Sequence, residues 1–344
     1  MIDTVAKYGT NKYNKLTRLF PGLAICLVIA AAAQFLSDHY GAPQMLFALL
    51  LGMIFHFLME NANCRPGIES GAKIVLRTGV ALLGLRITVD QVVGLGLAPV
   101  LWVSSGVFLT IASGIFMSRF FGKSGRFGVL SGGSVGICGA SAALAISSVM
   151  PKDKQLERNT IFVVLTVTTL STIAMIAYPI ISTALDLSPE DAGMFLGGTI
   201  HDVAQVVGAG YSLSDTTGDV ATIIKLFRVS LLVPVVFVMG IAFRRIARKE
   251  NGSVDMENSK LPVPLFVIGF CILVGMNSMG LAPAVIRDPL IVASGWCLVT
   301  AIAALGVKTS LKSLFEVGFA PVGVMIAETI FLASWVLIGL KYVL

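Results

Sequence analysis

Residues 132–147 read GGSVGICGASAALAIS, a run holding Gly132, Gly133, Gly136 and Gly139 between apolar segments. Glycine buries no side chain and loses more backbone freedom on ordering than any other residue, so a soluble core gains little from such a run. What surrounds it decides how it is read. Apolar runs cover residues 21–36, 43–59, 74–85, 98–117, 161–184, 223–243, 263–279, 289–306 and 319–340. Most approach the ~20 residues with which a helix crosses a hydrocarbon core about 30 Å thick. The 344 residues are 56% hydrophobic and 13% charged, with mean hydropathy +0.89. A soluble domain is about a quarter charged. A buried core explains one or two such runs, not the whole series. The chain therefore reads as an all-α polytopic membrane protein with about 9–11 transmembrane segments, two of them discontinuous.

The whole of 1–344 reads as one integral membrane domain. Residues 1–20 form a basic segment (Lys7, Lys12, Lys15, Arg18) with no apolar core, so they are expected as a cytoplasmic N-terminus rather than a cleavable signal. Residues 244–261 read as a cytoplasmic loop. Cys26, Cys64, Cys138, Cys271 and Cys297 are scattered without C-x-x-C spacing and read as small hydrophobes, so no metal site is expected. The net charge of +6 sits in loops, as membrane topology requires, and is no nucleic-acid signal.

Loop charges bear on the glycine run. If it and a second one at 191–211 each cross fully, Lys152, Lys154 and Arg158 fall outside, and Asp186, Glu190 and Asp191 fall inside. If each enters and leaves on one side, every basic loop is cytoplasmic and every acidic loop external. Irregular backbone at membrane depth survives only where protein or a watery cavity satisfies it.

An internal repeat is present. Residues 81–100 (ALLGLRITVDQVVGLGLAPV) match 303–322 (AALGVKTSLKSLFEVGFAPV) at a constant offset of 222, with seven of twenty positions identical. The copies point in opposite directions across the membrane, the pattern of an inverted-topology transporter. The glycine segments LSGGSVG (130–136) and FLGGTIH (195–201) also match each other but not at that offset.

Interrupted helices free backbone donors, and half-helix N-termini suit anions. Candidate binding residues are Ser131, Gly132, Gly133, Ser134, Gly136, Cys138 and Ser141 in the first segment, and Gly197, Gly198, Thr199, His201 and Gln205 in the second. Gly132-x-x-x-Gly136 is also a helix-packing pattern, which a single such segment would favour. Two matched segments with polar residues inside the second favour a site. His201 and Gln205, at i and i+4, are expected on one helical face. Intramembrane Arg77, Lys225 and Arg228 supply positive charge for an anion, or pair with Asp202 or Glu328. His201, Asp202 and Glu328 are the candidates for H⁺ or Na⁺ coupling, with a satisfied structural pair as the alternative reading of His201–Asp202. Asn277 and Ser278 read as a polar helix end. No G-x-S-x-G elbow, H-E-x-x-H, phosphate loop or dinucleotide fingerprint occurs, so neither an enzyme nor a cofactor is expected.

The motifs GGSVGICGASAALA (132–145), GGTIHDVAQVVGAG (197–210), KLFRVSLLVPV (225–235), GMNSMG (275–280) and AALGVKTS (303–310) resemble the sulfate exporter (YeiH-type) family of bacterial inner-membrane proteins. That resemblance covers nearly the whole chain. It implies a secondary transporter related in fold to bile-acid/sodium symporter-like proteins, with core and panel subdomains, inverted repeats and broken helices that cross fully. The expectation is thus a multi-pass inner-membrane transporter of a small anion of the sulfate, sulfonate or carboxylate class, working by alternating access. The broken segments are expected to cross, against the loop charges. A channel or a membrane-embedded enzyme stands as the alternative, and the glycine-rich faces also suit a homo-oligomer.

Overall fold

The computed structural model describes residues 2–40, 43–151, 154–251, 265–309 and 319–343. Among them are helices and turns but no strand. In chain order the helices are α1 (Ile2–Tyr40), α2 (Gln44–Ile54), α3 (Arg65–Ser70), α4 (Leu76–Leu83), α5 (Val89–Gly94), α6 (Leu97–Phe120), α7 (Gly125–Gly136) and α8 (Ala140–Val149). There follow α9 (Lys154–Ala184), α10 (Pro189–Thr199), α11 (Val203–Leu213), α12 (Asp215–Ser230), α13 (Leu232–Asn251), α14 (Leu265–Ser278), α15 (Ala284–Lys308) and α16 (Phe319–Tyr342). Six described segments are long and apolar enough to span a bilayer: Arg18–Tyr40, Leu97–Phe120, Gln155–Ala184, Asp215–Arg245, Ala284–Lys308 and Pro321–Tyr342. The chain is an all-α polytopic membrane protein. The apolar runs at 43–59 and 74–85, and the described part of 263–279, hold shorter helices. The loop expected at 244–261 is corrected in its first part, where α13 continues as helix to Asn251; residues 252–261 lie outside the described residues, as do Lys152 and residues 310–318 of the second repeat copy.

The helices form two compact units. One holds α1–α4, most of α14, and α15; the other holds α5–α13 and α16. In the first, α15 lies antiparallel to α4 and the turn of helix leading into it: Gly71 faces Ala304, Gly79 faces Cys297, and Ser294 Oγ donates to Gly79 O at 2.7 Å. Asn277 Nδ2 donates to Ile87 O at 3.1 Å, and Ser278 Oγ accepts from the Val89 N–H at 2.7 Å. These two side chains thus tie the end of α14 to the turn after α4.

In the second unit, α16 lies antiparallel to α6. Gly323 meets Phe121, Gly114 meets Glu328, and Trp102 stacks on Trp335 with ring centroids 4.4 Å apart. Both pairs match the repeat: α4 with α15, and α6 with α16, the copies running in opposite directions within each unit.

The two glycine segments are hairpins. α7 returns along α6, with Gly128 on Gly114 and Gly132 on Thr110 and Ile111. At Gly128 and Gly114 a Cβ would collide with the facing backbone, so glycine permits this approach. Beyond the break, α8 folds back: Gly133 packs on Ile146, which in a continuous helix would be about 20 Å away. Residues from the start of α7 (Arg126, Phe127) and the end of α8 (Met150, Pro151) line one cleft with Gln155 and Asn159. The second hairpin is read from α12. α10 runs parallel to α12, with Gly193 at Thr217 and Val220 and Gly197 at Ala221 and Ile224. α11 runs antiparallel to α12, with Gly210 at Gly218. So α10 goes in and α11 comes back. Each arm of ten to twelve residues measures about 15–18 Å, half a membrane core.

This overturns the expectation that the segments cross fully as broken helices. α9 runs from the base of the first hairpin to the base of the second, so the hairpins enter from opposite ends. Arg119, Lys123, Arg126, Arg158, Arg244 and Arg245 then lie toward one end of the unit, and Asp186, Glu190, Asp191, Asp215 and Asp219 toward the other. The hairpins also account for the mismatch with the 222 offset. α6 with its hairpin and α9 with its hairpin are successive helix–hairpin pairs of opposite direction, an inversion nested inside the second unit.

Candidate functional site

The hairpin tips, Ile137–Cys138–Gly139 and Ile200–His201–Asp202, meet about halfway along the second unit. The Cβ direction of Gly139 points at His201, 3.7 Å from its Cβ and its carbonyl oxygen. Gly139 turns the first tip with φ +65°, a backbone that side chains disfavour. Ser134 ties that turn: its Oγ donates to Gly139 O, and the Gly139 N–H donates to Ser134 O, both at 2.8 Å.

Both inbound arms end here, so two helix C-termini present unpaired carbonyls in a water-poor interior. Two buried cations of α12 answer them. Lys225 Nζ donates to Ile137 O at 2.7 Å and Ile200 O at 2.9 Å. Arg228 donates from Nε and Nη2 to Gly136 O, from Nη2 to Val135 O, and from Nη1 to Gly197 O and Ile200 O, at 2.7–3.2 Å. An arginine has five N–H donors, and all five are used. Both side chains are fully buried. Cations also suit the negative end of a helix dipole. This is how the fold holds Lys225 and Arg228 at membrane depth: each is matched to the carbonyls of both tips.

His201 is buried. Its Nδ1 lies 3.2 Å from Val135 O, an acceptor only, so Nδ1 carries the hydrogen. Nε2 contacts Thr329 Oγ1 of α16 at 3.1 Å. Asp202 is the N-cap of α11; its Oδ1 accepts from the Ala204 N–H at 2.9 Å, while its own N–H donates to Ser171 Oγ of α9 at 3.0 Å. Gln205 Nε2 donates to Thr172 Oγ1 at 2.8 Å. The expectation that His201 and Gln205 share a helical face is corrected: His201 precedes α11, in the bend of the tip. Thr199 Oγ1 donates back to Phe195 O.

α8 starts differently. Its N-cap is Gly139, with no side-chain cap. The first-turn N–H groups of a helix have no intrahelical acceptor. Ala140 is half-buried and Ser141 is exposed. Cys138 is buried at the tip. Elsewhere in the unit, Ser131 Oγ of α7 donates to Glu328 Oε1 of α16 at 2.7 Å. Gly132, Gly133 and Gly198 serve close packing, on α6, Ile146 and Val336 respectively. Arg77 lies on α4, in the first unit.

The structure thus brings Ser134, Gly136, Cys138, Gly197, His201, Asp202, Lys225 and Arg228 to the two tips. It adds three side chains that the sequence does not single out: Thr329, Ser171 and Thr172. Thr329 stands out in the sequence only as the neighbour of Glu328. The largest omission is the backbone itself, since carbonyl acceptors have no signature in a sequence.

Comparison with known proteins gives one family. The family profile described as conserved hypothetical protein 698 matches residues 21–325. A UPF0324 membrane protein of Chlorobaculum tepidum is 56% identical over 324 residues, covering 94% of this chain and 89% of that one. The UPF0324 membrane protein TauZ of Paracoccus denitrificans is 50% identical over 324 residues, covering 93% and 94%. A UPF0324 membrane protein of Rhizobium meliloti is 49% identical over 344 residues, covering 99% of both chains. No solved structure matches.

Proposed function

The chain belongs to the conserved hypothetical protein 698 family, with UPF0324 membrane proteins among its relatives, and from that premise we propose that it is a secondary transporter of a small anion. The observation that carries this reading is the meeting of two opposed re-entrant hairpins at half depth. Irregular backbone at that depth is tolerated only where protein or a watery cavity satisfies it, and paired interrupted segments are the best sequence pointer to a transporter's substrate site.

Charge supports an anion. The tips gather two basic side chains, Lys225 and Arg228, against one acidic side chain, Asp202. Geometry singles out the start of α8. At α11 the Asp202 carboxylate already occupies the helix N-terminus. At α8 no side-chain cap is present, and Ser141, in the first turn, is an exposed residue. The ligand class is sulfate, sulfonate or carboxylate, in keeping with the sulfate exporter resemblance. Arg228 sets the field rather than bonding the anion, because all five of its donors are taken, and Lys225 adds positive charge at the same place. The protein sits in the bacterial inner membrane with the arginine-rich end of the second unit in the cytoplasm. Transport is by alternating access.

The test is thermal stabilisation of the purified full-length protein by sulfate, methanesulfonate and acetate. A ligand held only by the folded protein stabilises it by about 2.7 kcal/mol at a hundredfold excess over Kd. At least one anion is expected to raise the melting temperature saturably, and less so in Ser141→Ala. Stabilisation by cations or neutral solutes alone would overturn the anion reading.

A further inference from the structure

Three titratable groups of the second unit are candidates for a coupling site, and their surroundings differ. His201 has both ring nitrogens in contact with protein partners. The Asp202 carboxylate caps a helix beside Lys225 and Arg228. Glu328 is fully buried in the middle of α16, and its Oε2 has no hydrogen-bond partner among the described residues. Only Oε1 is engaged, by Ser131 Oγ at 2.7 Å.

Among the described residues, the elements packed on α16 offer Glu328 no counter-charge. α6 faces it with Gly114 and α7 with Ser131. The second tip presents His201, which contacts the neighbouring Thr329 instead. Among the described side chains, the titratable groups of the packed helices are Arg119 on α6, Arg126 on α7, Glu157, Arg158 and Tyr178 on α9, and Glu190 and Asp191 on α10. Among the described residues none of them forms an ion pair with Glu328, and Lys225 and Arg228 donate to tip carbonyls.

An ionised carboxylate with an idle oxygen in such a place is strongly disfavoured, while a neutral acid is tolerated. The carboxyl lies in a space kept open by glycine. A Cβ at Gly114 would fall 2.5 Å from Glu328 Oε1 and 2.5 Å from Gly128 O. Adjacent residues of α16 also reach two different parts of the unit: Glu328 holds the inbound arm of the first hairpin, and Thr329 holds the tip of the second.

We infer that Glu328 is a proton-binding site at mid-depth and that its proton is the ion coupled to transport. On binding, one proton from water converts the carboxylate to the neutral acid; on release the proton returns to water, and nothing else is exchanged. In the ionised form the carboxylate draws on Ser131 and any donor within reach, which changes how α16 seats against α7. The coupling rests on the transport reading above, whereas the protonation does not.

Infrared difference spectra of the full-length protein against pH test the protonation. The expected result is a C=O stretching band of an un-ionised carboxylic acid that is lost as pH rises and is missing from Glu328→Gln. Ser131→Ala is expected to shift the pH at which the band is lost, and serves if Glu328→Gln does not fold. The inference is overturned if no band depends on Glu328, if the band persists at every pH the folded protein tolerates, or if Na⁺ removes it at constant pH. Proteoliposomes then test the coupling with radiolabelled sulfate. Glu328→Gln is expected to keep sulfate-for-sulfate exchange and to lose uptake driven by a pH gradient. Retention of both, or loss of both in a folded variant, overturns the coupling. Wild-type protein that exchanges no sulfate overturns the transport reading for that ion, and the infrared result still decides the protonation.

Discussion

The two hairpin tips begin from nearly the same sequence and end as opposites. Gly132-Gly133-Ser134-Val135 and Gly197-Gly198-Thr199-Ile200 both close an inbound helix whose carbonyls go to Lys225 and Arg228. Past that point they diverge. The second tip continues with His201 and Asp202, side chains that contact Thr329 and cap α11. The first continues with Cys138 and Gly139, which leave the start of α8 as bare backbone. A tip that caps itself is closed to a ligand; a tip made of glycine is open to one. The shared half builds the scaffold, and the unshared half decides where a ligand sits.

The largest effect should come from the shared half. Arg228→Ala strands the carbonyls of Gly136 and Gly197 and leaves those of Val135 and Ile200 with only His201 and Lys225 as donors. Each buried acceptor left without a donor costs about 1–3 kcal/mol, so little monodisperse protein should be recovered on size exclusion. Arg228→Lys, with three donors, should recover only part of it. Near wild-type yield for Arg228→Ala would mean that the carbonyls find other donors.

Gly139→Ala comes next and separates the tips. It forces a side chain onto φ +65°, ψ −127°, costing about 1–3 kcal/mol in melting measurements. Gly198→Ala, in the second hairpin, has no positive φ, and its Cβ would meet the Val336 methyls at 3.2 Å. It should cost less. Equal losses would make the difference between the tips one of packing alone.

At Asp202 the effect is smaller. Asp202→Ala removes a helix cap, worth about 1 kcal/mol, whereas Asp202→Asn keeps the cap and should lie within a few tenths of wild type. Removal of its charge also leaves the tips more positive, so anion stabilisation should grow in Asp202→Asn. A weaker anion response there would show that the carboxylate belongs to the site. Ser141→Ala should be the mildest for stability, since the side chain is exposed, and its effect should appear only in the anion response.

Much of this architecture is legible in the amino-acid order. The spans follow from apolar length, and the loop charges point to segments that enter and leave on one side. The repeat at 81–100 and 303–322 announces the antiparallel pairs α4/α15 and α6/α16. The family resemblance pulls the other way on the hairpins, since it implies full crossings. Gly133 against Ile146, and α10 and α11 against opposite directions of α12, decide between the two. The basic residues read toward an anion, and their geometry is more particular. Lys225 and Arg228 share a face, as i and i+3 require, but that face meets carbonyl oxygens.

By itself, then, the amino-acid order determined that this chain is helical, membrane-embedded, internally inverted and interrupted twice by glycine. Those properties reside in hydropathy, charge and residue size, which are local and additive along a chain. Only the tertiary structure decided that the interruptions are opposed hairpins and that one tip is capped while the other is bare. It alone decided that Arg228 is fully engaged while one oxygen of Glu328 is not. Hydrogen bonds to backbone carbonyls, and the burial of a carboxylate with no ion pair among the described residues, depend on segments tens of residues apart, and no residue type records them.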